Sequence, residues 1–189
     1  MKIREKTCKV CKTKFTPTRT FQPTCEDIEC RVKFAVMVAE KAKVKREKVE
    51  KSWLRARREA VKTRSDWAKE AQAAVNAFVR ERDKDLPCIS CGRYHQGQWH
   101  AGHYLSRGAH PELSLEPKNI FKQCQPCNTH LSGNQIKMRQ GIIARHGQER
   151  VIWLEGPHPA KKHTIDDLKA IRDLYKTRLK ELKAKSPTE

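Results

Sequence analysis

The residues best suited to chemistry crowd into one part of the chain: Cys88-Ile-Ser-Cys91, Trp99-His100-Ala-Gly-His103, Asn119 and Cys124-Gln-Pro-Cys127-Asn128. Two C-x2-C pairs flanking a 32-residue insert offer four thiolates to one tetrahedral Zn2+. Four sulfurs close the coordination sphere, so this zinc is structural and leaves no position for a substrate. The insert carries two histidines, and an asparagine follows the last cysteine. A strand–loop–strand leading into a helix would let these groups converge on one divalent ion and one water. The chemistry to expect from that set is metal-assisted hydrolysis.

The other four cysteines, Cys8-Lys-Val-Cys11, Cys25 and Cys30, make a second structural Zn2+ site. Turn-forming runs at Thr16-Pro-Thr-Arg-Thr and Gln22-Pro-Thr suggest two knuckles joined by a short hairpin, with Phe15 and Phe21 as apolar filling. All eight cysteines are then scaffold, and none remains as a nucleophile.

These sites must be positioned by a chain poor in core. Its 189 residues include 41 Lys plus Arg against 22 Asp plus Glu, a formal net charge of +19. Aromatic residues make up 6%, and the mean hydropathy is −0.84. Bound metal therefore stands in for missing apolar burial. So large a cationic excess suits a polyanion, above all nucleic acid, because phosphate contacts release condensed counterions. The N-terminus lacks an apolar signal segment and no run of eighteen apolar residues occurs, so a cytoplasmic chain with no membrane partner is expected. In a reducing cytosol, C-x2-C pairs read as metal sites rather than disulfides.

Four segments follow from composition: a zinc knuckle at 1–30, a long basic helical region at 31–84, a zinc-braced core at 85–147, and a strand plus amphipathic helix at 148–189. Residues 31–84 contain neither Pro nor Gly, and a break is expected near Thr63-Arg-Ser-Asp66. The helical region's sparse apolar stripe needs a cover, from a second copy as a homodimer or from the core. Gln135–His146 reads as a helix ended by Gly147, and Val151-Ile-Trp-Leu154 as a short strand. Thr164-Ile-Asp-Asp167 reads as a capping box opening a last helix, with a frayed tail at 183–189. His110, His130, His146, His158 and His163 read as exposed and uninvolved.

Ala101-Gly-His-Tyr, Asn119-Ile, Gln123-Cys-Gln-Pro-Cys-Asn128 and Leu131-Ser-Gly-Asn134 together resemble the lambdoid phage NinG (Rap) recombination endonucleases, within the HNH superfamily. The opening Cys8-Lys-Val-Cys11-Lys-Thr-Lys-Phe15-Thr-Pro17 is similar to that family too. The resemblance implies a small α+β protein with a ββα-metal nuclease core. It implies a structure-specific endonuclease that cuts branched DNA, such as D-loops or Holliday junctions. By the same resemblance, His103 is the general base, Asn128 a ligand of a catalytic Mg2+ or Mn2+, and Asn119 the residue bracing the loop that orients the base. Gly102 departs from the family pattern, which places a metal ligand before the base; His100 is the candidate replacement. Arg107, Lys118 and Asn134 are candidate DNA contacts. Blander roles stand beside these: His100 bonding a thiolate, Asn128 capping a helix, Asn134 holding a turn. A non-catalytic zinc protein binding DNA or RNA, and a sequence-specific HNH enzyme of homing or restriction type, are the alternatives.

Overall fold

The computed structural model describes residues 4–185 and divides the chain into two units, Met1–Val61 and Lys62–Glu189. In the first unit, β1 (Lys6–Thr7) pairs antiparallel with β2 (Lys14–Phe15). The turn between them carries Cys8 and Cys11, closed by Cys8 N–H donating to Thr13 O and Lys12 N–H to Cys8 O. The hairpin therefore encloses the first cysteine pair instead of joining two knuckles. Asp27 caps α1 (Ile28–Ala60) by accepting from the N–H groups of Glu29 and Cys30, which puts Cys30 in the first helical turn. That turn explains the four-residue spacing after Cys25. Phe21, expected as filling, is 92% exposed: so short a loop has nothing to bury it against. Along α1 the apolar residues Val32, Val36, Val44, Val49 and Trp53 are also exposed.

In the second unit, Thr63 and Asp66 form a reciprocal capping box that starts α2 (Arg64–Arg82) at the expected break. Thr164 and Asp167 do the same for α5 (Ile165–Lys185); the rest of the tail expected to fray lies outside the described residues. The two helices run in the same direction, Trp67 and Ala71 meeting Leu168 near one end and Val75 and Phe78 meeting Tyr175 further along.

A second hairpin, β3 (Trp99–His103) with β4 (Ile120–Cys124), pairs Trp99 with Cys124, His100 with Gln123, Gly102 with Phe121 and His103 with Ile120. Alternation sends residues 99, 101 and 103 to one face and 100 and 102 to the other. The first face packs Ala101 and Ile120 onto Ala74, Val75, Val79 and Tyr175 of α2 and α5. The second packs Phe121 onto Met138 and Ile142 of α3 (Gln135–His146) and Val151 and Leu154 of α4 (Gln148–Glu155).

Val151–Leu154 is thus part of a helix and not the strand expected. Its apolar run is too short to fix a period, and the buried pair Val151 and Leu154 has i, i+3 spacing. Asp83, 3% exposed, ties α2 to β4 by accepting from the Arg82 guanidinium and from the Lys122 N–H. Helix dominates and the strands are two small hairpins, so the α+β expectation narrows to a mostly helical chain. Among the described residues, no helix is long and apolar enough to cross a membrane.

Candidate functional site

The cysteines assemble into two clusters, Cys8/Cys11/Cys25/Cys30 and Cys88/Cys91/Cys124/Cys127, with all ligand atoms of each within 4.8 Å of one another. The Cys11–Cys25 and Cys91–Cys124 sulfurs are 3.8 and 3.9 Å apart. A zinc–sulfur bond of about 2.3 Å gives a tetrahedral edge of about 3.8 Å, whereas a disulfide needs about 2.05 Å. Both clusters therefore fit structural zinc. Burial tends to raise the Cys88 thiol, but N–H groups of Cys91, Cys124 and Ser90 outweigh it and hold it below its ordinary value. Cys8 is brought to about 6 against the same penalty by N–H groups of Cys25, Cys11 and Val10. His95, which sequence reasoning passed over, places Nε2 3.2 Å from the Cys91 sulfur.

His103 ends β3 on the face turned to α2. Its Nε2 lies 3.0 Å from the Ser114 carbonyl oxygen and 3.4 Å from Gln72 Nε2. A carbonyl only accepts, so Nε2 carries the proton and Nδ1 is the nitrogen left with a lone pair. Burial depresses the pKa of His103, Arg107 lowers it further, and the Ser114 bond opposes them without reversing the shift.

Asn119, wholly buried, holds the loop beyond β3. Its Oδ1 accepts from the Leu105 N–H, its Nδ2 donates to the carbonyls of Leu105 and Leu113, and its own carbonyl accepts from the Tyr104 N–H. Ser114 follows Leu113 directly, so this bracing also fixes the carbonyl that holds His103.

Asn128 lies inside a single wide helical turn, Pro126–His130, whose N-cap position is Gln125, so it is not the capping residue. It faces the opposite side of β3 from His103. A Cβ placed on Gly102 would stand 3.1 Å from Asn128 Oδ1 and 2.1 Å from Gln123 Oε1. Gln123 is completely buried, and its Oε1 has no hydrogen-bond partner; neither has His100 Nε2, also a buried atom. Two amide oxygens and an orphaned imidazole nitrogen thus belong to one face of the hairpin. Oxygen and imidazole donors of this kind fit a divalent ion that keeps several waters. Gln123 escaped sequence reasoning as a site residue; it stood there only as the first residue of the run Gln123-Cys-Gln-Pro-Cys-Asn128.

The structure does not bring the candidate DNA contacts together. Arg107 joins Arg64, Lys69 and Lys161 around a cleft of about 270 Å³ that also includes Gln72 and Ser114, the residue whose carbonyl holds His103. Among the described residues, no carboxylate lines it. Lys118 lies with Nζ 5.0 Å from the centre of the Trp153 ring. Asn134 donates to the Cys127 sulfur at 3.5 Å. His163 is not exposed as expected: it is 8% accessible, lines the same cleft, and its carbonyl accepts from Arg64. The polar Lys-Lys-His-Thr context disguised a position covered once α2 and α5 pack.

The family described as "Bacteriophage Lambda NinG protein" matches residues 1–185. The chain is 43% identical over 187 residues to Protein ninG of Escherichia phage lambda, covering 92% of this chain and 90% of that one. Protein ninG of Escherichia phage 933W is 42% identical over 190 residues, covering 93% and 92%, and that of Salmonella phage P22 is 41% identical over 187 residues, covering 92% and 90%. No solved structure matches the chain significantly.

Proposed function

Because the chain belongs to the NinG family of bacteriophage proteins, we propose that it is an HNH-type endonuclease that hydrolyses phosphodiester bonds in branched recombination DNA. The observation that carries this reading is the state of His103: its Nε2–H is committed to the carbonyl of Ser114, a residue that lines a cationic cleft, and Nδ1 is left as the proton acceptor.

His103 Nδ1 takes the proton of the attacking water. Desolvation keeps the imidazole neutral at physiological pH, so the base is ready before substrate arrives. Asn119 and Ser114 hold the ring at its working angle. Arg64, Lys69, Arg107 and Lys161 supply charge for neighbouring phosphates without reading sequence, in keeping with a substrate chosen by shape. Asn128 and His100, on the other face of β3, are suited to hold Mg2+ or Mn2+, which when bound stabilises the departing 3′ oxygen. In-line displacement puts entering and leaving oxygens at opposite ends of the phosphorus, so base and ligands on opposite faces of one strand are compatible with a phosphate over its unpaired edge. The products would be a 5′-phosphate and a 3′-hydroxyl.

The test compares wild type with His103→Ala on four-way, three-stranded and linear DNA, with and without Mg2+. Branched substrates should be cut only with Mg2+ and only by wild type, while both proteins bind. Equal cutting by both removes His103 from the chemistry. Binding without cutting by either favours a non-catalytic DNA-binding protein, and cutting confined to one linear sequence favours a homing or restriction type.

A further inference from the structure

We propose that Gln123 is a ligand of the catalytic divalent ion, its Oε1 acting with Asn128 Oδ1 from the place that a side chain at position 102 would take; this rests on the metal-dependent reading above. Three observations support it. First, the orientation of the Gln123 amide is fixed. Its Nε2 donates to Ser90 Oγ at 2.7 Å and to the Gly133 carbonyl at 2.6 Å. Both partners use the NH2 group, and the Gly133 carbonyl excludes the flipped amide, so Oε1 must face Gly102.

Second, Oε1 is a fully buried acceptor with no partner. An acceptor left so is unfavourable, and a hard cation is a partner for which an amide oxygen is well made. Third, its neighbours are donors of the same kind. Asn128 Oδ1 approaches the same point beside Gly102, and His100, directly across the ladder from Gln123, brings a buried unpartnered Nε2 to the same face.

This accounts for the departure at residue 102. A ligand carried there would collide with Gln123 Oε1, 2.1 Å from any Cβ. The ligand is instead supplied from the neighbouring strand, and glycine makes the room. Among the described residues the donors are all neutral, so the ion's charge is balanced by the DNA phosphate. Uptake should therefore tighten when DNA is present.

The experiment is a Mn2+ titration of the full-length, zinc-loaded protein, followed by the electron paramagnetic resonance of free Mn2+, alone and with an uncleavable four-way junction. Wild type should take up one Mn2+ per chain. Gln123→Met, unbranched and similar in length but without the oxygen, should weaken uptake by about tenfold or more. Gly102→Ala removes no donor but displaces the Gln123 oxygen, and should weaken it likewise. His103→Ala should bind Mn2+ as wild type does.

Undiminished uptake by Gln123→Met with both zincs retained overturns the proposal, as does an absence of uptake by wild type. Should Gln123→Met lose zinc, Gly102→Ala decides: undiminished uptake there also overturns it. Cleavage separates this site from the nuclease reading. Gln123-dependent uptake without DNA cutting keeps the site and rejects the nuclease. Mg2+-dependent cutting and Mn2+ uptake that both survive Gln123→Met keep the nuclease and reject the site.

Discussion

His103 Nε2 donates to the carbonyl oxygen of Ser114 at 3.0 Å, and this bond leaves Nδ1 as the ring's proton-accepting nitrogen. General-base catalysis contributes about 10²–10⁴ in rate. His103→Ala should lose at least about a hundredfold in junction cleavage while its DNA affinity is retained, measured by single-turnover cleavage and a binding titration. Retained affinity follows because the cations of the cleft are untouched.

The pH dependence has a definite sign. Burial and Arg107 place the His103 pKa below its ordinary value near 6.5. The cleavage rate should therefore hold as pH falls to 6.5 and decline only below it, as Nδ1 becomes protonated in the folded protein. Stability changes over the same window. Between the folded pKa and 6.5 the unfolded chain binds more protons, so His103 makes the fold less stable as pH falls through that range. A rate profile whose acid limb lies above pH 6.5 would assign the base to another group.

Asn119→Ala should damage both fold and catalysis. Three backbone groups, the Leu105 N–H and the carbonyls of Leu105 and Leu113, lose their partner. Each buried group left unsatisfied costs about 1–3 kcal/mol, so the loss in urea unfolding should reach at least about 2 kcal/mol. Cleavage at a temperature where the variant stays folded should also fall, because Ser114 is no longer held.

Asp83 is the junction between α2 and the hairpin. Asp83→Ala removes the anion that pairs with Arg82 and accepts from the Lys122 N–H. Breaking a buried pair from one side costs about 3–5 kcal/mol. The midpoint of chemical unfolding should fall accordingly, with zinc content unchanged in the protein that remains folded.

Zinc content is expected at two per chain by atomic absorption. Cys8→Ser and Cys88→Ser should each retain one. Only Cys88→Ser should abolish junction cleavage, since Cys88 belongs to the cluster that anchors Cys127 and hence Asn128. Loss of both zincs in Cys8→Ser would contradict independent clusters.

Much of this site was legible because cysteine spacing is local information. The C-x2-C pairs, the break at Thr63–Asp66 and the box at Thr164–Asp167 depend on neighbours within a turn. What escaped depends on partners far along the chain. Gln123 is oriented by Ser90 and Gly133 and matters because of Gly102, and only the strand register brings these together. Likewise, His163 looks exposed in its own segment and is covered by α2. His103 and Asn128 were expected to converge on one ion and one water; Asn128 instead lies against Gly102, and residues 102 and 103 point to opposite faces of β3. Val151–Leu154 failed for another reason: four apolar residues do not distinguish a period of two from one of 3.6.

The most direct test of that division across β3 uses a four-way junction whose scissile 3′ oxygen is replaced by sulfur. Sulfur departs without the charge stabilisation assigned to the Asn128 face, but the water still needs its base. Asn128→Ala should therefore recover cleavage of the sulfur substrate, and His103→Ala should not. Recovery of both variants to the same extent, or full activity of His103→Ala on ordinary DNA, would contradict the assignment of His103 as general base.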